Sequence, residues 1–581
     1  MNRLFTRSTT IKYQNLNKMW DFCTDPDNRG NSEKWYERFP ENHIKMSVPS
    51  CWNTTLGLFR YEGIAWYRTE FETSSEDVYI NFESVCHECD LYVDGRHYGN
   101  HYGGQLEFGF DVPGIGTGKH EMVVRVDNTV DMAMTIPHSC SDWYNYGGIC
   151  RPVSVIELGE CNIRDMVIKY ELNLEKKSAI VNVATTIFTK KAVTDTLRIT
   201  IDNECVYEKE ITVNGMCEHL AEDIVVDNIR LWGIYQPNLY YVTVTFGGED
   251  LTDRTGFRVI EARGRQLYLN GEQIKIIGIN RHEIHPDWGF SMPFELIKKD
   301  LDIIRDANPN TVRAAHYPHS KKTVDYCDEL GLLYWEEIPL WGNLNEWKDS
   351  LKDEKFIRRA LNMLEDMLKR DMNHPAIVFW GLYNELDTSL PQTLTLTKRM
   401  VELVHQYDTS RLTSYASCSI TIPGPHDICA GEVDMVSFNY YLAWLPSIQT
   451  ESFDELVARI SAHVDKVAGR EMPIMMSEFG CEGLKGCYSL EPQKWSENYQ
   501  AKVLETAMKA YFESDKMCGG CIWQFCNVQS QPNFIFMRPG GFNNKGLLDE
   551  FRRPKSTYEA VKQLYKKYNP LGDRETKIEL Y

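Results

Sequence analysis

Ala376-Ile377-Val378-Phe379-Trp380-Gly381-Leu382-Tyr383-Asn384-Glu385 is an apolar run of strand-forming residues that ends in an amide and a carboxylic acid. Residues 473–478 form a second run of this kind, which ends at Glu478. A carboxylate at the end of a buried strand is costly unless it is paired, hydrogen-bonded or used in chemistry. If both runs belong to one parallel barrel, the two glutamates converge on a single pocket, because the active sites of such barrels form at the strand ends.

The region around these runs alternates between strand-like and helix-like segments, a pattern that predicts a parallel sheet. Eight candidate strands can be counted, at residues 273–280, 311–315, 332–337, 376–385, 412–417, 435–441, 473–478 and 519–525. Between the first two, apolar residues recur at helical spacing from Phe294 to Ile304. Ser320 and Gly331 have the residue types that begin and end a further helix. Eight strands within residues 258–581 predict a catalytic (β/α)8 TIM barrel.

The first 257 residues have the pattern of β structure. Alternating segments recur from Trp20 onward, and Asp94-Gly95 separates two of them as a hairpin turn does. We expect one β domain at residues 1–161. Evenly spaced short strands then predict an immunoglobulin-like β-sandwich at residues 162–257.

Composition limits the classes of function. Among 581 residues, Lys and Arg number 63 against 83 Asp and Glu, so the net charge is −20. This charge disfavours nucleic acids and anionic membranes as partners. No apolar run is long enough to cross a bilayer, and no apolar signal core follows the N-terminal charges. Seventeen cysteines, an odd number without a framework, favour a reducing cytoplasm over secretion.

Polar or titratable residues stand at seven of the eight predicted strand ends, more than a structural barrel needs. They are Asn280-Arg281-His282-Glu283, His316-Tyr317, Glu336-Glu337, Asn384-Glu385, Asn439-Tyr440-Tyr441, Glu478 and Trp523-Gln524. Glu385 and Glu478 form the expected catalytic pair. For glycosidic bond cleavage with retention, their carboxyl groups should lie roughly 5 to 5.5 Å apart.

These motifs resemble glycoside hydrolase family 2 over nearly the whole chain. The resemblance rests on Asn384-Glu385, residues 278–283, residues 313–318, residues 477–480 and, in the N-terminal half, residues 141–149. It implies that the first domain is a sugar-binding-like jelly-roll β-sandwich. It also implies that Glu385 is the acid/base and Glu478 the nucleophile.

Residues 538–546 resemble the Asn-x-Lys signature of the bacterial β-glucuronidase branch of that family, with Asn543 and Lys545 as the matching residues. An acidic protein also needs a fixed local cation to hold an anionic ligand. The resemblance therefore implies a retaining exo-β-D-glucuronidase in which these two residues bind the sugar carboxylate. It further assigns substrate contacts to Asp142, His316, Asn384, Tyr441, Trp523 and Arg538.

Several alternatives remain open at this stage. A β-galacturonidase or mixed β-hexuronidase would use the same carboxylate clamp, and a catalytically silent carbohydrate-binding protein could keep the fold. We expect no obligatory metal or cofactor, although some relatives carry a flavin at a remote surface site. Cys86-His87-Glu88-Cys89 and Cys518-Gly519-Gly520-Cys521 lie in different predicted domains, so core thiols are expected there. The resemblance also implies a homo-oligomer, often a tetramer, that acts on small-molecule or oligosaccharide β-glucuronides.

Overall fold

The computed structural model describes residues 8–131, 133–137, 142–342, 347–422, 424, 426–441, 444, 452–531 and 538–569. Its N-terminal part is a β-sandwich whose two main sheets have four and six strands. The strands are β1 (Tyr13–Asn15), β2 (Met19–Asp25), β3 (Ile44–Ser47), β4 (Ile64–Thr73), β5 (Asp77–Phe82), β6 (Val85–Cys86), β7 (Glu88–Val93), β8 (Arg96–Tyr102), β9 (Phe108–Val112), β10 (Gly118–Asp127), β11 (Gly148–Ile149) and β12 (Val153–Leu158).

The four-stranded sheet has the order β1-β12-β5-β9, and the six-stranded sheet has the order β3-β2-β4-β10-β7-β8. Alternating apolar residues of both sheets fill one core that includes Trp20, Tyr67 and Val124. The predicted hairpin is confirmed, because β7 pairs with β8 across Asp94 and Gly95. Asp94 has a φ of 49° and Gly95 a φ of 77°, the left-handed conformation that such a turn requires.

The second part is an antiparallel sheet of five strands with its own apolar core. The strands are β13 (Cys161–Asn173), β14 (Ser178–Ile201), β15 (Glu204–Val226), β16 (Tyr240–Phe246) and β17 (Glu249–Thr255). The strand β14 is long enough to pair with β13, β15 and β16. A small sheet of β18 (Ile260–Arg263), β19 (Gln266–Leu269) and β20 (Glu272–Ile274) then leads into the third part.

The third part is a closed parallel barrel of eight strands, as predicted. The strands are β21 (Ile276–Arg281), β22 (Thr311–Ala314), β23 (Leu333–Glu337), β24 (Ile377–Asn384), β25 (Leu412–Ser417), β26 (Met435–Asn439), β27 (Ile474–Phe479) and β28 (Gly519–Ile522). The predicted start of the first strand at residue 273 is wrong, because residues 272–274 pair with β19 instead. A short hairpin of β29 (Val528–Gln529) and β30 (Phe542–Asn543) follows β28.

Helices surround the barrel and cover its strands. They are α1 (Phe294–Ala307), α2 (Lys321–Leu330), α3 (Trp347–Ser350), α4 (Glu354–Asp371), α5 (Pro391–Tyr407), α6 (Phe453–Ala468), α7 (Glu497–Glu513) and α8 (Ser556–Tyr568). The predicted limits of α2 are confirmed. The Ser320 hydroxyl accepts a hydrogen bond from the backbone of Lys322, and Gly331 ends the helix in the left-handed conformation.

The N-terminal sandwich contacts the mouth of the barrel directly. Arg151, just before β12, forms an ion pair with Glu283 at the end of β21, at 3.2 Å. Tyr146, in the loop before β11, donates a hydrogen bond to Gln529 at 3.0 Å. Residues 142–149 are therefore held against the strand ends where the site lies. No helix in the described ranges is long and apolar enough to span a membrane.

Candidate active site

Glu385 and Glu478 both lie at the mouth of the barrel, on strands that are separated by two others. Glu385 directly follows β24, and Glu478 is near the end of β27. The negative charge of Glu478 is one of the causes that raise the pKa of Glu385, so the two carboxyl groups share one environment. Glu385 has a φ of 57°, a strained backbone conformation that is concentrated at functional sites.

Three side chains surround the carboxylate of Glu478. Arg313 donates a hydrogen bond to Oε1 at 2.9 Å, and Tyr441 donates one to Oε2 at 2.6 Å. Nε2 of His316 lies 3.5 Å from Oε1. Both oxygens therefore face donors, and a buried guanidinium neutralises the charge. These contacts fix the position of the carboxylate.

Arg313 lies on β22, is fully buried and organises the floor of the pocket. Its guanidinium also forms two hydrogen bonds with Glu337, at 2.9 and 3.0 Å. It donates to Oδ1 of Asn280 at 3.0 Å and to Oδ1 of Asn384 at 2.9 Å. The sequence interpretation gave Arg313 no role. A charged residue inside an apolar strand is itself the signal that could have identified it, because a buried arginine needs partners.

The environment of Glu385 differs from that of Glu478. Nδ2 of Asn439 donates to Oε1 of Glu385 at 2.9 Å and to Oδ1 of Asn384 at 3.1 Å. Burial of the Glu385 carboxyl group, together with the charge of Glu478, raises the pKa of Glu385 to about 7 despite the hydrogen bond from Asn439. At neutral pH a large fraction of Glu385 is therefore protonated.

Aromatic rings form one wall of the pocket. Trp523, just after β28, stacks on His316 with ring centroids 4.9 Å apart. From the N-terminal sandwich, Trp143 packs against His316 at 5.5 Å and against Trp341 at 5.7 Å. A tryptophan from another domain therefore completes the wall that the barrel begins. The sequence interpretation did not assign Trp143, although it lies next to Asp142.

A basic cluster lies beside this wall, on the segment that carries β30. The Nζ of Lys545 is 5.3 Å from the centre of the Tyr441 ring. Nη2 of Arg538 and Nδ2 of Asn543 both donate to Oδ2 of Asp142, at 2.6 and 2.7 Å. Because Tyr441 also donates to Glu478, the basic cluster and the carboxylate pair belong to one pocket.

The fold thus brings together the ten residues to which the sequence analysis gave a catalytic or substrate-binding role. They are Asp142, His316, Asn384, Glu385, Tyr441, Glu478, Trp523, Arg538, Asn543 and Lys545. Nδ2 of Asn384 is buried and has no hydrogen-bond partner within the described part of the chain. It is a free N–H donor at the side of Glu385.

One group of potential metal ligands occurs elsewhere in the described residues. Asp325, Asp328 and His374 are buried together, and Nδ1 of His374 lies 2.6 Å from Oδ2 of Asp328. Asp328 also accepts a hydrogen bond from the backbone of Ala376, immediately before β24. This group therefore lies at the opposite end of β24 from Glu385. It ties α2 to the start of the strand, which is a structural role.

Three family models match the chain in succession. The model of the sugar binding domain of glycosyl hydrolases family 2 matches residues 13–159. A model described as glycosyl hydrolases family 2 matches residues 161–258, and the model of the TIM barrel domain of that family matches residues 260–569. A β-glucuronidase of Paenibacillus borealis is 25% identical over 631 aligned residues, which cover 99% of this chain and 100% of that protein.

Two solved structures align over almost the whole chain. A family 2 β-galacturonidase from Eisenbergiella tayi, bound to galacturonate, is 29% identical with a TM-score of 0.89, covering 98% of this chain and 99% of that one. A β-glucuronidase from Ruminococcus gnavus, in complex with D-glucaro 1,5-lactone, is 25% identical with a TM-score of 0.84 and covers 97% and 98%.

Proposed function

The chain belongs to glycosyl hydrolase family 2 and is a glycoside hydrolase, and from that premise we propose that it is a retaining exo-β-D-glucuronidase. The observation that carries the proposal is the link through Tyr441. Its hydroxyl donates to Glu478, and its ring lies against the ammonium of Lys545. A sugar carboxylate held by Lys545 would thus lie close to the carboxylate that attacks the ring.

The different environments of the two glutamates support different catalytic roles, with Glu478 as the nucleophile and Glu385 as the acid/base. Glu478 attacks the anomeric carbon while Glu385 gives its proton to the leaving oxygen, so the bond to the aglycone breaks and a glycosyl ester forms. Water then attacks the anomeric carbon, and its proton returns to Glu385 as the ester bond to Glu478 breaks. The raised pKa of Glu385, about 7, suits a group that must first be an acid and then a base.

The remaining pocket residues suit the recognition of a hexuronide. Asn543, Lys545 and Arg538 supply an amide and two cations for the carboxylate of the sugar. The free Nδ2 of Asn384 can donate to a ring hydroxyl beside Glu385. Stacked on His316, Trp523 offers a flat apolar surface to the sugar ring. Acid, base and nucleophile all come from side chains, so we propose that the reaction requires no metal or cofactor.

A second candidate is a β-galacturonidase, or a mixed β-hexuronidase. It is favoured by the identity of 29% with the Eisenbergiella tayi β-galacturonidase, against 25% with the Ruminococcus gnavus β-glucuronidase. Both sugars carry the carboxylate that the basic cluster would bind. They differ only in the orientation of the hydroxyl group at C4.

Hydrolysis of four p-nitrophenyl β-glycosides tests both candidates. The glucuronide should be cleaved fastest, with little turnover of the galactoside or glucoside. A preference for the galacturonide would replace the first candidate with the second. In the variant Lys545→Ala, kcat/KM for uronides should fall far more than for any neutral glycoside, and equal losses would refute the clamp. NMR of the released sugar should show the β anomer first, as retention requires.

Activity should persist after dialysis against a chelator, which tests the absence of a metal requirement. Glu478→Ala should reduce kcat by several orders of magnitude, since it removes the covalent catalyst. Glu385→Ala should regain part of its rate with azide as an external nucleophile, because the glycosyl ester can then be released without a base. Intact activity of Glu478→Ala would rule out our assignment of the nucleophile.

A further inference from the structure

Glu482 is a buried carboxylate inside the basic cluster, and the proposed reaction gives it no task. It lies in the loop after β27, only 1% exposed. Its Oε1 lies 3.4 Å from Nζ of Lys545 and accepts a hydrogen bond from Nη1 of Arg538. Its Oε2 is buried and has no hydrogen-bond partner in the described ranges. A buried carboxylate that is only half satisfied is unfavourable unless its charge is used.

The cluster already contains its own counter-charges. The ammonium of Lys545 and the guanidinium of Arg538 face two carboxylates, Glu482 and Asp142, and the charge of Glu482 also acts on the nearby ammonium of Lys555. The ring of Tyr441 and the thiol of Cys481 also lie near Lys545. A substrate carboxylate therefore enters a site whose cations already have carboxylate partners inside the protein. It must replace one of the internal partners of Lys545 or share the cation with it.

The surroundings of Lys545 disfavour its charged form. Burial, together with the charge of Arg538, lowers the pKa of Lys545, and Glu482 and Asp142 oppose that effect. Glu482 is the carboxylate that contacts Nζ directly. Without it, the buried ammonium would keep a repelling guanidinium and lose its nearest counter-ion.

Resting on the proposed uronide specificity, we propose that Glu482 is a positioning residue that keeps Lys545 charged and in place until the carboxylate of the substrate binds that cation. Glu482 touches Lys545 and Arg538 and acts on the substrate only through them. The role has two opposite consequences. Glu482 competes with the substrate for Lys545 at neutral pH, and it preserves the cation when the pH rises.

Calorimetric titration of free D-glucuronate and D-galacturonate into the full-length protein between about pH 6 and pH 9 tests this inference. At the lower pH, Glu482→Gln should bind the uronate as tightly as the wild type or more tightly, because a competing charge is gone. At the higher pH it should bind about tenfold more weakly, because Lys545 loses its proton earlier. Glu482→Asp, which keeps the charge, should follow the wild-type profile.

Glu497→Gln provides the matched control, since Glu497 is another buried carboxylate but binds the backbone of Gly486 and Ser556 rather than the clamp. Its pH profile should equal that of the wild type. A Glu482→Gln variant with an unchanged profile, or with equal weakening at every pH, would overturn the inference. Equal weakening would instead indicate a direct contact to a sugar hydroxyl or a packing role.

The same experiments distinguish a wrong proposed function from a wrong role of Glu482. If the wild type neither binds nor hydrolyses uronates, the clamp itself is wrong. If the wild type cleaves uronides and Glu482→Gln behaves identically across the pH range, only the role of Glu482 is wrong. Thermal unfolding of each variant shows whether the fold is intact, and Glu482→Asn, a smaller neutral amide for which the same changes are expected, carries the test if the Gln variant does not fold.

Discussion

Nη1 of Arg313 donates a hydrogen bond to Oε1 of Glu478 at 2.9 Å, from a guanidinium that is completely buried. The same guanidinium binds Glu337 through two hydrogen bonds. Burial would raise the pKa of Glu337, but the charge of Arg313 and the hydrogen bond from His316 hold that pKa below its usual range. One buried cation therefore pairs with two buried carboxyl groups.

We predict that Arg313→Lys lowers kcat for uronide hydrolysis by about 100-fold or more, because one ammonium cannot hold Glu478 and the floor of the pocket together. Steady-state kinetics and circular dichroism measure the loss and the integrity of the fold. Arg258→Lys is the control, since Arg258 is equally buried but binds the carbonyls of Pro375 and Ile377 at the other end of the barrel. It should lower thermal stability and leave kcat unchanged. Similar kcat losses in both variants would contradict a specific role for Arg313.

The pH dependence of the reaction should follow Glu385. The proposed role as the acid requires a protonated Glu385, so kcat/KM should fall as the pH rises through about 7. The hydrogen bond from Asn439 stabilises the ionised form of Glu385 and lowers its pKa. Asn439→Ala should therefore move the alkaline limb to higher pH while reducing the maximum rate, because Glu385 also loses its anchor. Profiles of kcat/KM against pH for both proteins provide the measurement, and a limb that stays in place or moves to lower pH would contradict this account.

The sequence predicted the barrel and the strand-end positions of the two glutamates because both depend on local pattern. Apolar runs that end in polar residues mark strand ends, and eight such runs close a barrel whatever the details of their packing. The predicted strand at residues 376–385 corresponds to Ile377–Asn384, and Glu385 follows it as expected. The resemblance supplied Asn543 and Lys545, whose spacing is also local.

The hydrogen-bond partners of Arg313 and Asn439 could not be predicted from local sequence patterns. Arg313 comes within reach of Glu478 only after the barrel closes, since 165 residues separate them in the chain. Asn439 stood at a predicted strand end, but no sequence pattern tells which of two glutamates its amide will contact. The contact of Glu482 with Lys545 could not be predicted from the sequence for a further reason. Its proximity to Lys545 depends on how the loops after β27 and β28 pack.

Trp143 should be necessary for both stability and activity. Its ring contacts His316 and Trp341, so Trp143→Ala removes a large buried side chain from the wall of the pocket. Loss of such a ring costs about 3–5 kcal/mol of folding free energy, and kcat/KM should fall because His316 loses support. Thermal unfolding and kinetics below the melting temperature measure the two effects.

Trp20→Ala is the matched control for Trp143→Ala, because Trp20 is fully buried in the core of the same sandwich, in an apolar cluster that contains no residue of the barrel. It should show a similar loss of thermal stability with normal kcat/KM. If the two variants were equally impaired in catalysis, the N-terminal sandwich would act on activity only through general stability.

Glu283 should make the junction between sandwich and barrel sensitive to acid. Burial alone would raise its pKa, but the charges of His319, Arg151 and Arg281 lower it to about 2. Because this folded-state pKa is below the unfolded value, Glu283 stabilises the fold fully above about pH 4.5 and loses that effect as the pH falls toward about 2. Glu283→Gln should cost about 3 kcal/mol at neutral pH, the free energy that such a shift represents.

The difference in melting temperature between wild type and Glu283→Gln should therefore narrow on acidification, because the wild type alone loses a stabilising charge. Scanning calorimetry at about pH 7, 5 and 3.5 measures it. Glu497→Gln is the comparison within the barrel. Burial would raise the pKa of Glu497, but hydrogen bonds from the backbone of Gly486 and Ser556 outweigh burial and lower that pKa, so its difference should also narrow, but by less than that of Glu283→Gln. A difference that stays constant or widens toward low pH would show that the charge of Glu283 does not hold the two domains together.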